Sequence, residues 1–284
     1  MKYRYSLVDD ESDLVIGYCN KVDGLTGKTV ERANGLFHKI VLFDFVFCDE
    51  FKEYLKKRKE RFLRLIYINI LDDNTNIIAH FSFASHTDIR HTEFYTLNSH
   101  INFELIGYLN EVATKNELKL WEQWILDFPT EKNKWIDLDY GGRQDWLRML
   151  RVINCCRYKE VVENKNKIFY LDGRNITSYD SFFIAFAEAL NGPGTYFGDC
   201  LGGLDDCLCG GFGITAPFKV IWESSSVAVK HLDEEEWRRH RLYLKKYNKK
   251  IFYNDDNGIA LNLNIFHSII DTLISRGVEV VLIP

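Results

Sequence analysis

The sequence predicts an α+β N-terminal domain over residues 1–162 and an α/β domain over residues 163–284, the second a three-stranded parallel sheet with flanking helices. Three observations point there. At 284 residues the chain exceeds the roughly 100–200 residues usual for one domain. Its first half sets apolar, β-branched and aromatic runs between polar breaks, with helical patterns interspersed. After VVENKNK at 161–167, where the apolar pattern lapses, three short continuous apolar runs alternate with helical segments. Runs of that kind, buried on both faces and joined by helices, imply a small parallel sheet.

In chain order, strands are expected at 3–8, 13–18, 38–47 (HKIVLFDFVF), 63–71 (LRLIYINIL) and 77–84 (IIAHFSFA). Helical periodicity marks 50–62, 117–128, which stops before Pro129, and 143–158. Past the lapse, KIFYL at 167–171 reads as a strand and DGRNITS as a turn. SYDSFFIAFAEAL follows as a helix with Ser178 as N-cap and Phe182, Phe183, Phe186 and Leu190 on one face. PFKVIW at 217–222 is the next strand, 232–250 a charged and exposed helix, 263–277 a helix with a glycine stop, and VEVVLI at 278–283 the last strand.

A composition of 46% hydrophobic residues with only four prolines fits packed globular domains rather than disorder. The first 25 residues scatter acids and lack the apolar core of a secretory signal. No stretch approaches the roughly 20 apolar residues of a membrane span. A cytoplasmic protein is therefore expected, its seven cysteines, Cys155 and Cys156 adjacent among them, remaining thiols. Residues 168–231 carry seven acids (Asp172, Asp180, Glu188, Asp199, Asp205, Asp206, Glu223) against three bases (Arg174, Lys219, Lys230). This balance opposes direct nucleic-acid binding and suits a basic partner.

Within that segment, GTYFGDCLGGLDDCLCGGFG at 194–213 holds seven glycines, three cysteines and three aspartates, and no Lys, Arg or His. On a helical wheel at about 100° per residue, Cys200, Leu201, Leu204, Cys207 and Leu208 share one arc. Asp199, Gly202, Gly203, Asp205, Asp206 and Cys209 share the other. Asp199 sits where an N-cap belongs, and Gly210 with Gly211 where a helix stops. A phosphate loop would need its glycines ahead of the helix and a Lys, and aspartates on the helix would repel phosphate. A metal site is disfavoured because Cys207 and Cys209 diverge by about 160° and no paired Cys-x-x-Cys spacing occurs. An acidic, glycine-lined face remains, and the helix penalty of Gly202 and Gly203 is understandable if something must approach the backbone closely.

From Lys167 to Ile283 the chain resembles the barstar-like family of ribonuclease inhibitors. The likeness rests on the opening strand with Asp172–Gly173, the helix after Ser178, TYFGDCLGGLDDCL at 195–208, the GGFG turn, PFKVIW and the C-terminal RGVEVVLI. It implies a three-stranded parallel sheet flanked by helices and inhibition by plugging a ribonuclease active site. The second helix and its preceding loop would enter a basic cleft, with Asp206 standing in for a substrate phosphate. The partner-binding set so implied is Tyr196, Phe197, Asp199, Gly202, Asp205, Asp206, Cys209, Gly210, Gly211 and Phe212. Gly202 falls where the family has a further contacting aspartate, Asp205 where it has a tryptophan, and Asp271 or Thr272 where it has a glutamate. Residues 232–250 are an insertion. These departures point to a target other than barnase.

The implied function is an immunity protein that neutralises a ribonuclease toxin, with no catalysis, no cofactor, no metal and no membrane contact. The alternative is an interaction module for a non-nuclease partner. A third reading, an N-terminal enzyme, would need His80, His86, His91 or His100 to converge with Asp88 or Glu93, yet no metal-binding spacing such as HExxH occurs. Trp121, Trp124, Trp135 and Trp146 read as core, the first pair by its i, i+3 spacing. Sequence leaves open whether residues 1–162 stabilise the inhibitor, widen its interface or bind a second partner.

Overall fold

The computed structural model describes residues 3–57, 62–89, 100–155, 159–162, 167–246 and 263–284. Its contacts divide the chain into two units, Met1–Phe128 and Pro129–Pro284.

The first unit contains β1 (Tyr5–Asp9), β2 (Val15–Cys19), β3 (Lys21–Asp23), β4 (Thr29–Arg32), β5 (Gly35–Phe47), α1 (Asp49–Lys57), β6 (Leu65–Leu71), β7 (Ile77–Ser85), β8 (Ile101–Leu109) and α2 (Lys115–Leu126). The expected strands and the helix at 117–128 occur, and the helix expected at 50–62 spans Asp49–Lys57, with 58–61 outside the described residues; β3, β4 and β8 were not foreseen, and the α+β expectation missed how the strands close. Six antiparallel strands form a ring in the order β2, β1, β6, β7, β8, β5 and back to β2. The unit is therefore a barrel. Closure depends on β5, whose register breaks between Leu42 and Phe45, beside Asp44 at φ 52°, so that one long strand meets β8 along its length and β2 at its end. At that seam Gly17 opposes Phe47, and a Cβ on Gly17 would lie 2.2 Å from the Val46 carbonyl. Only glycine permits the approach. Alternate positions of the ring, among them Leu7, Ile16, Ile40, Leu42, Phe45, Ile68, Phe83, Phe103 and Leu105, fill the core. Trp121 and Trp124 are buried and meet edge to face at 6.4 Å, as their spacing predicts.

The second unit contains α3 (Tyr140–Cys155), β9 (Lys159–Val162), β10 (Ile168–Asp172), α4 (Tyr179–Asn191), α5 (Leu201–Cys209), β11 (Phe212–Ile214), β12 (Lys219–Glu223), α6 (Ser225–His231), α7 (Glu234–Lys246), α8 (Ile265–Ser275) and β13 (Glu279–Leu282). β10, β12 and β13 form the expected three-stranded parallel sheet, with Tyr170, Ile221 and Val281 aligned across it. The strands were expected to be buried on both faces, and this is corrected. Leu171, Val220 and Trp222 are buried, Trp222 lying against Phe182 of α4 and Phe266 of α8. Ile168 and Tyr170, on the opposite parity, are exposed. Both helices lie on one side.

Ser178 caps α4 as expected, accepting the Ser181 N–H while the Ser181 hydroxyl accepts the Ser178 N–H. The helix is almost wholly buried because α3 and α7 add to its cover. Asn133 N–H donates to the Glu188 carboxylate at 3.1 Å, and Arg143 donates to the Thr177 hydroxyl at 2.9 Å. Trp135 and Trp146 are core residues here. The helix at 232–250 was expected to be exposed, whereas α7 buries Glu236, Trp237 and His240, and the Tyr179 N–H donates to Glu236. Its charged sequence masks one inward stripe, and residues 247–262 lie outside the described residues. β9 and β11 form a short parallel pair that periodicity did not reveal.

Candidate protein interface

The loop before α5 packs from below. Tyr196 and Phe197 are buried, Phe197 against Phe186 of α4 and Tyr196 against Phe212 of β11. Gly198 turns the chain at φ 95°, and a Cβ there would lie 2.8 Å from the Leu204 nitrogen, so the turn abuts the helix start directly. The Tyr196 hydroxyl donates to Asp199 at 3.0 Å, and Arg151 of α3 pairs with the same carboxylate at 3.2 Å. Burial, then the Asp199 charge, pushes the Tyr196 phenol up.

Asp199 was expected to cap α5, and this is corrected. Cys200 takes the cap position with an extended backbone, and its Sγ accepts the Gly203 N–H at 3.2 Å. The Asp199 carboxylate is already engaged by Tyr196 and Arg151, which leaves the cap to the next residue. Cys200, expected in the core, is half-buried at this corner. Leu204, Cys207 and Leu208 are buried and Gly202, Asp206 and Cys209 exposed, as the wheel predicts, whereas Leu201, expected in the core, and Gly203 and Asp205, expected outside, are half-buried, as are Gly210, Gly211 and Phe212.

The two helix glycines serve different ends. A Cβ on Gly203 would meet Asp199 Oδ1 at 3.1 Å and the Tyr196 hydroxyl at 3.4 Å, so its smallness answers a demand inside the protein. Gly202 lies on the open face.

The two remaining acids differ sharply. Arg276, which follows α8, bridges Asp205 through Nε at 2.5 Å and through Nη2. That bidentate contact holds the Asp205 carboxyl below its ordinary range and the guanidinium above its own. Asp206, one position on, is exposed and has no hydrogen bond or ion pair among the described residues. Sequence reasoning missed Arg151 and Arg276, which are distant in sequence from the helix they neutralise. On α8, Asp271 is exposed, and the Thr272 hydroxyl donates to its own helix at the Ser268 carbonyl.

The histidines of the first unit have separate surroundings. His80 packs on Tyr67, His86 lies between Phe37 and Tyr108, and His100 Nδ1 is 3.2 Å from the Asp44 carbonyl oxygen. Burial lowers the His80 pKa. His91 and Glu93 fall outside the described residues. Among the described residues no cluster of three or more His, Cys, Asp or Glu could hold a metal ion, and no helix is long and apolar enough to cross a membrane.

No curated protein and no solved structure matches this chain. A family model does, and its match begins at residue 166, after α3 and β9 and within the second unit. Residues 166–264 match the model described as Barstar (barnase inhibitor), and the C-terminal part of the chain is thus a barstar-like domain.

Proposed function

We propose that the C-terminal domain is a cytoplasmic inhibitor of a ribonuclease, serving as an immunity protein against a ribonuclease toxin. The reading is carried by Asp206, an exposed carboxylate with no hydrogen bond or ion pair among the described residues, on a helix whose other face is locked by Leu204, Cys207 and Leu208. A ribonuclease cleft is lined with cations that bind phosphate. A carboxylate presented rigidly can take charge-assisted hydrogen bonds there, in the space the substrate needs.

The contact surface consists of Gly202, Asp205, Asp206, Cys209, Gly210, Gly211 and Phe212, with Tyr196, Phe197 and Asp199 supporting it from beneath. Residues 163–284 are the inhibitor and residues 1–162 an accessory domain, of which α3 braces α4 and Asp199. The protein performs no catalysis in this role.

The test is to capture the partner on the full chain and assay it for RNA cleavage, with and without Asp206→Ala. The substitution should weaken binding by at least about 2 kcal/mol, roughly 30-fold, chiefly through faster dissociation. Unchanged affinity removes Asp206 from the contact. A partner that cleaves no RNA, alone or freed from the complex, replaces this reading with that of an interaction module.

A further inference from the structure

The three aspartates of the 194–213 stretch do not present three charges. Asp199 is half-buried and shared between the Tyr196 hydroxyl and Arg151. Asp205 is bridged at both oxygens by Arg276. Only Asp206 makes no hydrogen bond or ion pair among the described residues, its charge acting on Arg276 from a distance. Arg151 precedes the residues that match the family model, and Arg276 opens the C-terminal RGVEVVLI, past the matched span. Segments distant in sequence have thus recast the charge of the helix.

Arg276 does more than cancel Asp205. Its side chain is 42% exposed, the bridge uses one N–H on Nε and one on Nη2, and the Asp206 charge acts on the same guanidinium, so a cation with further donors stands near Asp206. A partner therefore meets one free carboxylate next to a fixed guanidinium. Against a uniformly basic cleft that guanidinium is a like charge, and it opposes docking. A pocket with one cationic subsite, bordered by a carboxylate or carbonyl oxygen, satisfies both groups.

Resting on the reading of this surface as a ribonuclease contact, we propose that Arg276 is its specificity-determining residue. It selects a partner whose basic pocket is edged by an acidic or carbonyl group, and it rejects clefts that are basic throughout. Loss of the arginine should release Asp205 and turn the face into a two-aspartate surface.

The test uses the full chain with Arg276→Gln, the paired variant Asp205→Asn with Arg276→Gln, and Lys28→Gln. Lys28 pairs with Asp23 in the first unit, so its loss changes net charge equally at an ion pair that shares no residue with this surface. Two probes are read, inhibition of barnase and the salt needed to elute each variant from an immobilised oligo-arginine peptide. Arg276→Gln should tighten barnase inhibition at least about tenfold and raise the eluting salt. The paired variant should fall back towards the parent chain, and Lys28→Gln should match it within about twofold.

Unchanged elution of Arg276→Gln, or weakened barnase inhibition, overturns the proposal, as does an equal gain for Lys28→Gln. If no variant inhibits barnase, the peptide alone decides the role of Arg276. The ribonuclease reading fails separately, through a captured partner that cleaves no RNA.

Discussion

Replacing Trp135 by alanine should loosen α4, although the two are distant in sequence. Trp135 is fully buried, Arg143 stacks over its ring at 5.7 Å, and two residues earlier Asn133 reaches Glu188 of α4. Truncating a buried Trp to Ala costs about 3–5 kcal/mol, against a total of roughly 5–15 kcal/mol for a typical domain. The variant should remain folded but open far more often. Because the chain has two units, a single unfolding midpoint would blur the effect, whereas amide hydrogen exchange reports each region separately. At about 1.4 kcal/mol per factor of ten, the Phe182–Phe186 amides should lose protection by about a hundred- to a few-thousand-fold. Those in the β5–β8 ladder should change by less than about twofold. A change below about fivefold in α4, or an equal loss in both ladders, would refute the claim that residues 129–155 brace this unit.

Two further outcomes are expected. Burial raises the Glu188 carboxyl above its ordinary value of 4.5, opposed in part by the Asn133 N–H and Lys132, so the folded chain holds the proton more tightly than the unfolded one. Stability should then decline as pH rises from 4.5 through the folded value, and Glu188→Gln should flatten that decline in urea titrations of α4 protection. Among the cysteines, iodoacetamide at pH 8 should label Cys209, which is exposed, well before Cys207 and Cys19, which are buried; burial also pushes the Cys19 thiol up to about 12. Peptide mass mapping over time reads the order.

What the sequence discloses here is local order. The two faces of α5 follow from a period of about 3.6 residues, and the Ser178 cap from the chemistry of one hydroxyl, so both were legible. Closure of the barrel was not, since it turns on Gly17 meeting Phe47 across the chain and on a register break within one long apolar run. The inward stripe of α7 was hidden because Glu236 and His240 look like solvated residues until Tyr179 and its neighbours surround them. Asp199 was misplaced at the cap for a similar reason. Its partners, the Tyr196 hydroxyl and Arg151, come from two other segments. The family likeness drew attention to α5, and only the fold showed how the charge of its aspartates is divided.

The three-stranded sheet, with α4 and α8 on the same side, has a consequence for how this domain tolerates change. Parallel sheets usually hide both faces. Here a substitution at Leu171, Val220 or Trp222 would open a void beneath α4 and α8, whereas one at Ile168 or Tyr170 trades one solvated surface for another. Neighbouring residues in one strand thus live under opposite rules. At these exposed positions the domain can add charge or shed bulk without disturbing the helix that carries Asp206.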